Sequence, residues 1–313
     1  MAPLQQRQKG FASTGLVTLA IHALRLIDPN ILSDQVSAPD PMKGATLDAT
    51  HKRDLLNKVF ETHGAGPLLC IGQHLDLATE YPSMQVLMRS RSPQVLAEKW
   101  VRLERYYHAV NRTRIHAEET TLVCKRYGTR QPPAASENLF IAGLVFGLCE
   151  LAGAQNPRLI IDAQCAEAAD LANMKFRSDE DLSSFRVTWQ GWPEKASGDP
   201  ERERDDREGL LPLRLKDLLR KDAARSWRLS DAARLLAKSS RSLQRELAAN
   251  ETSFSSVLRN VRLKTAHEML LNSQVSLAEI GYCCGYADQA HFQRDFRRVM
   301  NMTPAHYRHL ASN

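Results

Sequence analysis

Apolar residues recur at helical spacing along most of the chain, and the places where that rhythm breaks divide it into parts. Leu16, Leu19, Ala20, Ala23, Leu24 and Ile27 share one face of a 3.6-residue period, which predicts a helix over 12–27. Further helices are expected around 48–62, 67–79, 93–110 and 137–153, punctuated by Pro82, Pro132-Pro133 and Pro157. Thr113 to His116 and Glu119 to Tyr127 read as paired strands, and Leu159 to Asp162 and Phe185 to Trp189 as further short strands. Residues 1–192 are therefore expected to form an α+β domain.

From Pro193 to Gly209 almost every side chain is charged, small or proline. Such a run has little apolar surface to bury, so 193–209 is expected to be a solvated linker. An exposed helix laced with ion pairs is the other reading of that charge run.

After the linker, over 210–313, the pattern is purely helical. Pro212 suits a first turn, with Leu211, Leu215, Leu218 and Leu219 on one face. Ser230 is placed as an N-cap before Ala232, Ala233 and Leu236, and Ala237-Lys238-Ser239 as a short turn. The helix over 240–248 then points Leu243 and Leu247 inward and leaves Ser240, Arg241, Ser242, Gln244 and Arg245 outward. A longer helix from about Ser253 carries Phe254, Leu258, Val261, Ala266, Met269 and Leu270 as its apolar stripe and could act as a rigid spacer.

The plan then recurs. Ser276 and Glu279 have capping-box spacing, Leu277 and Ile280 point inward, and Gly285 ends the short helix. Asp288 caps the next helix, over 288–298, in which Phe292 and Phe296 are core. Gln289, His291, Gln293 and Arg294 are left outward, and Arg297 and Arg298 extend the basic face. A short helix of small residues, a tight turn and a second helix with a polar face make a helix-turn-helix, and here there are two.

Charge changes the picture by its distribution. The chain carries a net charge of +6, but the segment from Leu210 onward holds 17 basic against 9 acidic residues, so the rest is slightly acidic. A basic module is what binding to phosphate requires. Arg241 and Arg245 could read guanine O6 and N7 or anchor a phosphate, and Gln244 could pair with adenine or the backbone. In the second unit Gln289, His291, Gln293, Arg294 and Arg298 are the corresponding candidates. His291 is expected to contact bases by packing or through water, and Arg294 to bind a phosphate or to pair with Asp295 or Asp288.

Other chemistries lack support. There is no P-loop, no Gly-rich dinucleotide turn and no His-x-x-x-His pair. No nucleophile motif or paired carboxylates stand out, so no enzyme activity, cofactor or metal is expected. The six cysteines form no C-x-x-C pair and read as buried reduced thiols. Phe11 to Ile27, preceded by Arg7 and Lys9, imitates a signal sequence, but His22 and Arg25 interrupt it. No apolar run approaches the ~20 residues of a membrane span.

The stretch Ser276 to Tyr286 and its continuation Ala287 to Arg298 resemble the second helix-turn-helix of the AraC/XylS family of bacterial transcription regulators. Asn301-Met302-Thr303-Pro304-Ala305-His306-Tyr307-Arg308 is similar to that family's terminal Gly-x-x-Pro-x-x-Tyr-Arg signature, and Ser239 to Leu247 resembles its first recognition helix. Departures are Ala237, Glu251 and Asn301 at positions where the family often has Gly, Lys238 for an apolar residue, and Gly281 for Ala. Gly66 to Gly72 and Ser92 to Tyr107 resemble the arabinose-binding-type N-terminal domain of one subgroup, which differs from the cupin barrel of the founding member.

The resemblance implies two recognition helices in successive major-groove segments of promoter DNA, about 34 Å apart. It further implies a ligand-responsive activator, with RNA polymerase and a small-molecule effector as partners and a homodimer as an option. It would act in the cytoplasm, at the nucleoid. The alternatives are a constitutive or repressing DNA-binding protein whose N-terminal domain only dimerises, and an enzyme fused to a DNA-binding tail.

Overall fold

The computed structural model describes residues 11–33, 36–39, 46–79, 81–107, 110–128, 131–192 and 211–311. It divides into two compact units, Met1–Pro193 and Glu194–Asn313. The expected linker at 193–209 lies outside the described residues.

The first unit runs β1 (Phe11–Ser13), α1 (Thr14–Ile27), β2 (Thr46–Asp48), α2 (Ala49–His63), α3 (Gly66–Cys70), α4 (Pro82–Met88) and α5 (Pro93–Tyr106). There follow β3 (Asn111–Ala117), β4 (Thr121–Gly128), α6 (Ala135–Ala152), β5 (Arg158–Ile161), β6 (Gln164–Ala166) and β7 (Ser184–Thr188). β1 and β2 pair with each other; the remaining strands form an antiparallel sheet in the order β3-β4-β7-β5-β6. The expected α+β character is present, and the β3–β4 hairpin pairs Thr113 with Arg126.

Helix α6 is the centre of this unit. Contrary to the expectation that no apolar stretch approaches a membrane span, it is long and apolar enough by composition to cross one, yet nearly all of it is buried inside the protein, as a core helix is. Three glycines let it approach the segment after α3 backbone to backbone. A Cβ on Gly72 would lie 2.0 Å from the Gly143 carbonyl oxygen, and one on Gly147 would lie 2.0 Å from that of Gly72. This contact explains one departure from the sequence reading. The helix expected over 67–79 is α for five residues and then 3-10 over Ile71–Ala78, broken at His74 (φ −112°, ψ 31°). The other departures are short: α5 stops at Tyr106, and β1, β2, β6 and α4 were not anticipated.

Charge is also buried here. Arg126 Nη1 bonds Glu104 Oε1 at 3.0 Å and Thr113 Oγ1 at 2.9 Å, while Glu104 also accepts from the Thr113 amide and Trp100 Nε1. Beside them Glu137 at the start of α6 accepts from Asn111 Nδ2 at 2.8 Å and pairs with Lys52 at 3.2 Å and Arg53 at 3.1 Å. Burial alone would push the Glu137 carboxyl up, but Lys52 and Arg53 outweigh it and hold the group below the usual carboxylate range. Five of the six cysteines are buried and all six are free; Cys165 departs from the expectation by being exposed.

The second unit is all helix: α7 (Leu211–Lys221), α8 (Leu229–Leu235), α9 (Ser240–Ala249), α10 (Phe254–Asn272), α11 (Leu277–Cys283), α12 (Gln289–Met300) and α13 (Pro304–Ala311). It holds two hydrophobic clusters. The first joins Leu215, Leu219, Trp227, Leu243, Leu247 and Val261, and the second joins Leu263, Ala266, Leu270, Ile280, Phe292 and Phe296. Helix α10 therefore serves both, and its buried stripe includes Val257 and Leu263, which the sequence reading left out.

Candidate nucleic-acid interface

Each half of the second unit presents one capped helix. Ser239 Oγ accepts from the Ser242 amide at 3.1 Å at the start of α9, and Asp288 Oδ1 accepts from the His291 amide at 2.7 Å at the start of α12. The preceding short helices differ. Ser276 caps α11 by accepting from the Glu279 amide at 3.1 Å, whereas α8 begins at Leu229 after Arg228. Ser230 is thus inside the first turn of α8 and is not its N-cap. The first turn of that helix carries Asp231, a favourable charge for the positive end of the helix dipole.

Leu243 and Leu247 anchor α9 in the first cluster with almost no exposure. Helical geometry then puts Arg241 and Arg245, one turn apart, on the opposite side. Both are exposed, as are Ser240 and Gln244, and neither arginine has an ion pair among the described residues. Ser242 behaves differently. It is half-buried, and its hydroxyl donates to Glu246 Oε1 at 2.8 Å, where Lys238 Nζ also bonds at 2.9 Å. Hydrogen bonds from Lys238 and Ser242 hold the Glu246 carboxyl below its usual range.

Phe292 and Phe296 anchor α12, both fully buried with ring centroids 5.8 Å apart, so they are core and offer no stacking surface. His291 and Arg294 are exposed, and Gln289 and Gln293 are half-buried. Around the outward face stand Ala290 and Arg297, both exposed, which add a small contact and a further charge. The His291 ring stands edge-on to Tyr286 at 5.2 Å, which positions it over the turn.

Arg294 forms neither of the ion pairs considered for it. Asp288 caps α12, and Asp295 is engaged by Arg298, by Arg259 at 3.4 Å and by the Tyr286 hydroxyl at 3.0 Å. Burial and the neighbouring Asp295 push the Tyr286 phenol up, so it remains a donor. Arg298 is therefore partly committed to its own helix, while Arg294 is free of such a pair among the described residues. The sequence reading missed the Arg259–Asp295–Tyr286 group, because three residues on three elements carry no local signature.

The turns share one design. Ala237, Glu251 and Asn301 have φ of 54°, 53° and 55°, and Gly285 has φ of 80°. The first three are the positions at which the sequence departs from a common Gly. The terminal segment also closes the second half: the Tyr307 hydroxyl bonds His267 Nδ1 at 2.8 Å and Arg308 donates to the Val275 carbonyl at 2.7 Å. Among the described residues no group of three or more His, Cys, Asp or Glu side chains is arranged to hold a metal ion.

Comparison with known proteins gives this part of the chain a relationship. Residues 222–309 match a family described as a helix-turn-helix domain. The chain is 38% identical over 104 residues to the ornithine utilization regulator of Pseudomonas aeruginosa, covering 33% of this chain and 30% of that one. It is 33% identical over 91 residues to the urease operon transcriptional activator of Escherichia coli, covering 29% of this chain and 31% of that one. Among solved structures, a DNA-binding transcriptional dual regulator from Escherichia coli K-12 is 26% identical with a TM-score of 0.32, covering 33% of this chain and 92% of that one. The chain thus spans about a third of the length of the curated relatives it matches. Residues 222–309 are thus a helix-turn-helix domain.

Proposed function

We propose that the chain is a sequence-specific DNA-binding transcription regulator that lays α9 and α12 in successive major-groove segments. The observation that carries this reading is the matched pair of capped helices. Each is locked to its own hydrophobic cluster on one side and presents arginine, glutamine or histidine on the other. Arg241, Gln244 and Arg245 are the base-reading candidates of the first helix, and Gln289, His291, Gln293 and Arg294 those of the second. Ser240, Ser242 and Arg298 belong to the flanks of these faces, where phosphates pass.

The first unit, by its diffuse resemblance to arabinose-binding-type domains, is assigned the sensing of a small-molecule effector, and the whole chain the activation of transcription with RNA polymerase in the cytoplasm. The two regulators named above, one of ornithine utilization and one a urease operon activator, are consistent with such a role. Selection of bound duplexes from a random-sequence pool by the full chain tests DNA recognition: two sequence blocks about one helical turn apart are expected. A reporter fused to a promoter so identified tests the direction of control. Lower output on deletion of the chain fits activation, and higher output would replace it with repression.

A further inference from the structure

The backbones of the two helix-turn-helix halves come into close contact beside Gly285. Gly285, in the turn after α11, lies so close to the first half that a Cβ built on it would sit 2.4 Å from the Ala223 carbonyl oxygen and 3.0 Å from Arg262 Nη2. Arg262 of α10 reaches both sides of this seam. Its Nη2 donates to the Arg225 carbonyl at 3.3 Å, in the loop before α8, and its guanidinium carbon lies 5.7 Å from the centroid of the Tyr286 ring. Tyr286 in turn holds Asp295 of α12, and Asp295 is paired back to Arg259 of α10. On α10 itself, Arg262 falls between Val261, which packs in the first cluster, and Leu263, which packs in the second.

We propose that Arg262 and Gly285 form a brace that fixes the rotation of one helix-turn-helix against the other, and so sets the base-pair spacing at which α9 and α12 engage together. The proposal rests on the reading of both helices as DNA readers. Its physical reason is that the apolar side chains of α10 hold each half to its own cluster, while the connection between the halves passes the Arg262 position. One base pair shifts the groove by roughly 3.4 Å and a tenth of a turn, so a compliant connection would tolerate a spacing that a braced one rejects. Two readers held at the correct separation also act at high effective concentration on one duplex, and slack lowers it. Arg262 is a positioning residue here and need touch no DNA.

The test uses the full chain, with spin labels at the exposed positions Ala249 and Val299 and no DNA. A narrow distance distribution is expected for the parent, and a distribution at least about twice as wide for Arg262→Met, which keeps the aliphatic stem and removes the fork. Gly285→Ala, which wedges the seam, is expected to shift the mean distance. On the bipartite duplex selected by the parent, insertion or deletion of one base pair between the blocks should cost the parent about tenfold in affinity and Arg262→Met less than about threefold, with binding to a single block unchanged. An unchanged distance width, or an unchanged spacing penalty, overturns the brace. A parent that selects only one sequence block overturns the two-helix reading instead, and the distance measurement then decides the brace alone.

Discussion

The turn at Ala237 and the turn at Gly285 are the same structure built from different residues, and exchanging them should move stability in opposite directions. In the first, the Ala237 amide donates to the Arg234 carbonyl at 3.1 Å and the Lys238 amide to that of Ala233 at 2.9 Å. In the second, Gly285 donates to Tyr282 at 3.0 Å and Tyr286 to Gly281 at 3.1 Å. Both central residues have positive φ, which an L-residue adopts at a cost of about 1–2 kcal/mol and glycine adopts freely. Ala237→Gly removes that cost but restores about 0.4–1 kcal/mol of unfolded-state entropy, and Ala237 is exposed, so no packing is lost. A net gain of about 0.5–1 kcal/mol is expected.

Gly285→Ala incurs the strain and adds an overlap with the Ala223 carbonyl, worth about 1–3 kcal/mol of crowding. The expected net loss is about 2–4 kcal/mol. Native-state hydrogen exchange of peptides covering α8–α9 and α11–α12 in the full chain measures both locally. If Ala237→Gly loosened its own turn, or Gly285→Ala left exchange of α11 and α12 unchanged, the assignment of strain to these residues would be wrong.

Other expectations follow from the same geometry. Arg245→Ala should cost roughly 1–3 kcal/mol on the selected duplex and little on random DNA if Arg245 reads a base, whereas equal losses on both, in a titration at fixed salt, would make it a phosphate contact. Gly147→Ala places a Cβ 2.0 Å from the Gly72 carbonyl and should destabilise the first unit by at least about 2 kcal/mol, read as an earlier denaturation midpoint; an unchanged midpoint would contradict the close approach of α6. Glu137 has a folded-state carboxyl held below its ordinary value of 4.5, so its stabilisation is present above that value and is lost as pH falls through the lower folded value. Glu137→Gln should therefore flatten the acid side of the stability profile, and a profile as steep as the parent's would remove Glu137 as its cause.

The readable parts of this protein were those written in local chemistry. Ser276 and Asp288, expected as N-caps, each accept from the helix that follows, and Ser239 and Ser253, expected only in the turn and at the helix start, prove to be caps as well. Gly285 is legible as a helix end, and Asn301, Ala237 and Glu251 as departures from a common glycine; all four have positive φ. Ser230 misled because Leu229, which packs on the first cluster, already belongs to the helix. Pro82 punctuates the sequence as a helix start and not only as a break, since a proline at the first helical position begins α4.

Long-range placement was not legible. Lys99 is fully buried, with Nζ donating to the Val86 carbonyl at 2.8 Å, and Arg126 is buried against Glu104; in sequence both look like surface charges. Nothing near Gly143 and Gly147 in sequence announces the backbone of Gly72, which packs against both. Each of these depends on a neighbour that no window of sequence contains.

The two hydrophobic clusters strung on α10 share no residue, and this has a consequence for descent. A mutation on the outward face of α9 leaves the packing around Phe292 and Phe296 untouched, and one on α12 spares Leu243 and Leu247. Natural selection can therefore retune one half of a binding site while the other is inherited intact, and lineages can drift one half-motif at a time. Only the residues at the seam are bound to change together.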